Sequence, residues 1–379
     1  MALFRIVPIK HFLLIILLIF VGNSVLFGQV DTTLLFNRAD LAFDISAAYG
    51  TMVKHTPKMN HIDNKPDLAF EIDIFKHADV DAYWSQALGI PDLGVTILYN
   101  GFGEPDILGR GFGIYPFMGM YLLRAKKFSI RFKSGAGFSY ITEPYDINDN
   151  PDNNVIGTSI NNIIHLGLNF TYQITDHLHI YNAMSITHHS NASYQTPNLG
   201  INFVTASLGV QYQADKIRSV ERKYKTEGFK HAGDLRARIG IGVKENQITG
   251  GPKYPIYNFS IAYARMYTPA HRWSAGLFIE YNTLISDFIQ NNSIIVDNPQ
   301  LASTKVALEV GDEFIINHTG LTVQIGYYLH NSFLKQGNVL TRYGIQQYFL
   351  NHKLFIGLYM KSHYFRADYA EFGIGYKLG

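Results

Sequence analysis

The chain has 379 residues, a formal charge of +2, 14% aromatic residues and only 16% charged ones. A soluble globular chain usually carries about 25% charged residues, and the near-neutral balance gives no electrostatic case for a nucleic-acid partner. Cysteine is absent, which excludes disulfides, zinc–thiolate sites and cysteine nucleophiles.

Arg5 and Lys10 precede an apolar run at 12–21 (FLLIILLIFV), which is followed by GNSVLFGQ. A basic start, a short apolar stretch and a segment with small residues predict a signal peptide over 1–28. The run is too short to span a bilayer comfortably as a helix.

From there on the chain divides into long segments in which apolar residues alternate with polar or small ones. Leu41, Phe43, Ile45, Ala47 and Tyr49 form one such series, and Phe128, Ile130 and Phe132 another. Leu354, Ile356, Leu358 and Met360 repeat the pattern near the C-terminus. Period-two alternation over ten or more residues predicts strands with one face to lipid and one to a lumen. Strands of soluble β-sandwiches are usually nearer five or six residues. The first half yields about eight strands by this template, near 41–53, 66–77, 92–100, 110–124, 127–141, 162–174, 177–190 and 200–213. The expected fold is therefore all-β, a transmembrane antiparallel β-barrel. No backbone polar group can stay unpaired in hydrocarbon, and closure removes every edge.

Residues 214–233 (ADKIRSVERKYKTEGFKHAG) are polar and basic without alternation, and are expected to be a linker. About eight more strands follow over 234–379. The pattern fits one barrel of about sixteen strands or two of about eight, the linker mildly favouring two. His177 and His188 bracket one strand, and His352 and His363 bracket another at the same spacing. This suggests that 234–379 is a degenerate repeat of 29–213. His363 is followed by Tyr364 and Phe365, so this second part lacks a serine at the matching place and is expected to be inert.

Chemistry concentrates in Thr187–Asn202 (THHSNASYQTPNLGIN). By strand parity, His188 and Ser190 share a face about 7 Å apart, together with Leu178, Ile180, Met184 and Ile186. The other face carries His177, His179, Tyr181, Ser185 and Thr187, which suits a lumen. Asn202 starts the next strand on its apolar face, so hairpin pairing makes it a neighbour of His188 and Ser190. Polar groups on a lipid-facing wall are costly unless they serve a function. A serine beside a histidine that a third group orients is the basis of nucleophilic acyl transfer. The unremarkable alternative is turn chemistry for Ser-Asn-Ala and interfacial roles for the histidines. If strands start from the periplasm, the seventh ends outside, which puts these residues at the outer rim.

His188-His189-Ser190-Asn191-Ala192, with Pro197-Asn198 and Gly200-Ile201 after it, resembles the histidine–x–serine–asparagine signature of the lipid A 3-O-deacylase (PagL) family. The resemblance is close over 188–201 and looser over about 30–213. Residues beyond 214 resemble the extension of two-part, Bacteroidota-like relatives. It implies an outer-membrane serine esterase of Gram-negative cells that removes an ester-linked acyl chain from lipid A without a cofactor. His188 would be the base, Ser190 the nucleophile and Asn191 part of the oxyanion hole. The family's third member is a glutamate; Asn202 stands there, with Glu143 and Asp146 as distant carboxylates. The alternative function is a non-enzymatic barrel, acting as a pore, adhesin or scaffold. The loop DINDNPD (146–152) lacks the central glycine and closing glutamate of a calcium loop and is expected to be a solvated outer loop. None of the 15 histidines pairs at helical metal-ligand spacing, and no metal site is expected.

Overall fold

The structure, a computed structural model, describes residues 41–214, 231–246, 248–333, 337–363 and 366–379. The signal peptide expected over 1–28 and residues 215–230 of the linker expected over 214–233 lie outside the described residues.

Alternation of this kind folds into strands because each position meets either lipid or lumen, and the sixteen strands of the described residues form two closed barrels. The first comprises β1 (Leu41–Met52), β2 (Asp67–His77), β3 (Asp92–Asn100), β4 (Gly111–Arg124), β5 (Phe128–Ile141), β6 (Ile160–Gln173), β7 (Leu178–Ser190) and β8 (Ile201–Gln213). The second comprises β9 (Gly233–Glu245), β10 (Lys253–Thr268), β11 (His271–Asn282), β12 (Thr304–Ile316), β13 (Thr319–His330), β14 (Val339–Phe349), β15 (Leu354–His363) and β16 (Arg366–Lys377). Every neighbouring pair is antiparallel. The first barrel closes through β8 on β1, with Phe203 opposite Met52 and Gln213 opposite Ala42. The second closes through β16 on β9. This decides the question that alternation leaves open in favour of two barrels of eight. No described helix is long and apolar enough to cross a membrane.

The outward faces are apolar, with Ile45, Met184, Leu208, Ile239 and Val310 exposed. Exposed aromatics gather towards both strand ends of the first barrel, Tyr49, Phe112 and Tyr140 at one and Phe128, Tyr172 and Tyr212 at the other, as interfacial girdles do. The ends also differ in their connections. One carries short turns, such as 125–127, 174–177, 269–270 and 317–318; the other carries the long loops 53–66, 142–159 and 283–303. A short helix α1 (Tyr83–Ala87) departs from this pattern by lengthening the β2–β3 connection on the short-turn side.

Eight strands enclose a space that side chains fill, and here the filling is ionic. In the first lumen Arg131 donates to Asp92 (2.7 Å) and Asp44 (2.9 Å). Lys133 binds Glu71 (2.6 Å) and Asp73 (2.7 Å). In the second, Arg342 donates to both carboxylate oxygens of Glu309 (2.8 Å) and lies 3.3 Å from Glu371. Lys361 pairs with Glu280, which also accepts from Tyr369 (2.7 Å). Opposite charges inside a closed wall satisfy one another where water is scarce. A void of about 20 Å³ beside Glu71, Asn100, His165 and Thr187 leaves room for about one water.

At the long-loop end, Met59, Ile62, Phe102, Leu108, Val155 and Ile156 fold over the mouth of the first barrel and pack on Met52, Ile141, Ile201 and Phe203. This apolar cap gives the loops beside β7 and β8 a rigid floor.

Candidate active site

The parity of β7 sets the site. His179, Tyr181, Ala183 and Thr187 are buried in the lumen, while Ile180, Met184 and Ile186 are exposed on the outer face. His188 and Ser190 belong to the outer series at the long-loop end of β7. The β7–β8 register puts Asn202 directly opposite His188. The three residues therefore meet on the outer wall, as parity and hairpin pairing predict.

Their hydrogen bonds form a chain. Asn202 Oδ1 can only accept, so His188 Nδ1–H donates to it (2.7 Å). That fixes the tautomer of a neutral ring and leaves Nε2 as the acceptor of the Ser190 hydroxyl proton (3.0 Å). Asn202 Nδ2 in turn donates to His55 Nδ1 (3.2 Å). Both ring nitrogens of His188 are thus engaged. Ser190 is 4% exposed, while His188 and Asn202 are half-buried.

His55 is the member that sequence reasoning missed. It lies on the β1–β2 loop, 147 positions before its partner. It reaches the site only because closure sets β1 beside β8, with Val53 N–H donating to Asn202 O (2.7 Å). A histidine three residues past a barrel strand is too weak a signal to single out.

The neighbour of His188 has a different role. His189 points into the lumen, bonding Ser139 (2.9 Å) and Asn100 (3.1 Å) and meeting the edge of Phe102. It ties strands together.

The turn 191–200 follows the serine. Asn191 N–H donates to Asn198 Oδ1 (2.9 Å), and Asn191 Nδ2 donates to Gln195 O (2.8 Å). Asn191 therefore spends its donors within the turn in this state. Ala192 and Ser193 hold φ of 56° and 63°, a region that costs a non-glycine residue roughly 1–2 kcal/mol. Gly200, with φ of 81°, backs the imidazole, since a Cβ there would stand 2.7 Å from His188 Cε1. Gly200→Ala both strains the backbone and pushes the ring off Ser190. Any turnover that depends on the Ser190–His188 contact is expected to fall by roughly 10- to 100-fold with the barrel still folded, read by initial rates beside gel mobility of the unheated protein.

Glu143 and Asp146 hold their own loop. Glu143 accepts through its main-chain oxygen from Asn150 (3.2 Å) and Asn153 (2.7 Å). The Asp146 carboxylate accepts from the backbone N–H groups of Asn148 (2.8 Å) and Asp149 (3.1 Å), which hold it below the usual carboxylate range. The segment is a polar turn. In the second barrel His363 is buried, bonding Tyr328 (2.9 Å) and lying 3.6 Å from Asp368. It faces the lumen, whereas His188 faces outward, so the matched histidine spacing does not mark equivalent positions.

Residues 76–211 match the family described as lipid A 3-O-deacylase (PagL), and residues 234–379 match the C-terminal domain of acyloxyacyl hydrolase (PagL_C). No curated protein matches the chain. Among solved structures, Neisserial surface protein A is 6% identical, covering 46% of this chain and 96% of its own, at a TM-score of 0.32. The outer membrane enzyme PagL is 15% identical, covering 44% and 97%, at a TM-score of 0.31. CdiB from Acinetobacter baumannii is 10% identical, covering 89% and 60%, at a TM-score of 0.20. The two family matches meet across the polar segment between the barrels and together span well over half of the chain. The protein belongs to the lipid A 3-O-deacylase (PagL)/acyloxyacyl hydrolase family of outer-membrane β-barrels, in an extended two-part form.

Proposed function

We propose that the protein is a serine esterase that removes an ester-linked acyl chain from lipid A in the outer leaflet. The observation that carries this reading is the Ser190–His188–Asn202 hydrogen-bond chain on the outside of the barrel wall. A nucleophile facing sideways at the long-loop end meets a lipid substrate at its headgroup, since long loops normally lie on the cell exterior. The family match supplies the substrate class.

Ser190 Oγ attacks the ester carbonyl carbon while its proton passes to His188 Nε2. The tetrahedral species collapses, the sugar oxygen leaves with that proton, and an acyl-enzyme remains. His188 then takes a proton from water, which attacks the acyl carbon; the bond to Ser190 Oγ breaks, His188 returns the proton to that oxygen, and the fatty acid leaves. Asn202 holds the ring in the tautomer that keeps Nε2 free, and it meets the transient imidazolium with a dipole rather than a full charge. The Asn191 N–H would serve the oxyanion by exchanging Asn198 Oδ1 for it. The ion-filled lumens give no support to a pore.

Purified protein incubated with lipid A in detergent is expected to yield lipid A lighter by one hydroxyacyl chain, plus the free fatty acid, by mass spectrometry. Unchanged lipid A after prolonged incubation of folded protein would contradict the proposal.

A further inference from the structure

We infer that the second barrel supports the turn behind the nucleophile, with Glu245 as a positioning residue for the esterase proposed above.

The turn 191–200 leaves the rim of the first barrel and is gripped from both sides. Its own barrel contributes Gln195 Nε2 donating to Gly157 O (2.7 Å) and Gly200 N–H donating to Val155 O (3.1 Å). The second barrel supplies the other grip from the ends of β9, β10 and β16. Glu245 Oε2 accepts from Thr196 N–H (2.5 Å) and from Thr196 Oγ1–H (2.8 Å). Glu245 N–H donates to Ser193 O (3.2 Å), and Ser193 Oγ–H donates to Ala367 O (2.9 Å). Lys253 lies 3.4 Å from Glu245 Oε1 and 4.9 Å from the centroid of the Tyr194 ring.

Two physical points give these contacts weight. Glu245 is 3% exposed, and a buried carboxylate is costly without charge-assisted hydrogen bonds. Oε1 has Lys253 of its own barrel (3.4 Å), but the partners of Oε2 are a backbone N–H and a hydroxyl of the other barrel, so that oxygen is satisfied only when the turn is in place. Conversely, Ala192 and Ser193 hold left-handed conformations that persist only where the surroundings over-determine them. The second barrel holds Ser193 through both its carbonyl and its hydroxyl. Since Ser193 is three residues from Ser190, slack in the turn reaches the nucleophile and the Asn191 donors. This gives residues 234–379 a task in catalysis without a catalytic group of their own.

The test uses full-length Glu245→Ala and Glu245→Gln. The alanine variant is expected to lower kcat by roughly 10-fold with KM little changed, because alignment rather than lipid binding is lost. Glutamine keeps an acceptor for Thr196 N–H and is expected to recover most of that loss. Hydrogen exchange of 191–200 in detergent micelles should quicken in the alanine variant while β7 and β8 keep their protection, which also shows that both barrels remain folded. Exchange at the wild-type rate overturns the inference. So does faster exchange with unchanged kcat in an enzyme that is otherwise active. If the wild type proves inactive, the esterase reading fails on its own, while exchange in the alanine and glutamine variants still decides whether Glu245 holds the turn.

Discussion

Ser190→Ala is expected to lower lipid A deacylation by at least about 10³-fold, and His188→Ala by a comparable factor. The two losses should not multiply in the double variant, because nucleophile and base act in one step. Removing a hydroxyl that only meets His188 Nε2 (3.0 Å) deprives no lumen group of a partner, so the serine variant should keep wild-type stability. His189→Ala supplies the contrast. It empties a fully buried site between Asn100 and Ser139 and should reduce stability instead of selectively abolishing chemistry. Rates of hydroxyacyl release together with unfolding midpoints of the three variants separate these outcomes.

Arg342→Met is expected to cost about 3–5 kcal/mol of stability in the second barrel. The guanidinium is fully buried, donates to Glu309 and lies 3.3 Å from Glu371. Methionine fills much of the volume but leaves two carboxylates facing each other in a dry lumen. Arg238 still reaches Glu371 (2.5 Å), so the Glu309 carboxylate bears most of the loss. Denaturant unfolding in detergent micelles measures it; a change below about 1 kcal/mol would mean that the lumen is wetter than the packing implies.

Much of the first barrel is legible in the sequence because its signal is local. Lipid outside and ions inside force alternate positions to opposite chemistry, so Phe128, Ile130 and Phe132 locate β5, and the expected strand ends of the first half fall within about two residues of those observed. Closure is not legible, because one barrel of sixteen and two of eight share every hairpin within each half. They differ in whether β8 meets β1 or β9, a pairing between residues far apart in sequence.

The same division runs through the site. His188, Ser190 and Asn202 sit on one face by parity and hairpin register, both of which a sequence displays. His55 and Glu245 arrive by closure and by contact between barrels, and nothing near them in the chain announces it. The His188–His363 comparison fails for a definite reason. Lumen positions are odd-numbered in both β7 and β15, such as His179 and Phe355, so an even-numbered and an odd-numbered histidine take opposite faces despite equal spacing. The carboxylates Glu143 and Asp146 draw notice by charge, whereas their loop contributes to the site through the carbonyls of Val155 and Gly157.

The most direct test of the central claim is labelling of the folded protein with a lipophilic fluorophosphonate, followed by peptide mass spectrometry. The account predicts one phosphonylated residue, Ser190, with labelling lost in His188→Ala and retained in His189→Ala where that variant folds. Absence of the adduct from Ser190 in protein that deacylates lipid A, or labelling of a different serine, would contradict it.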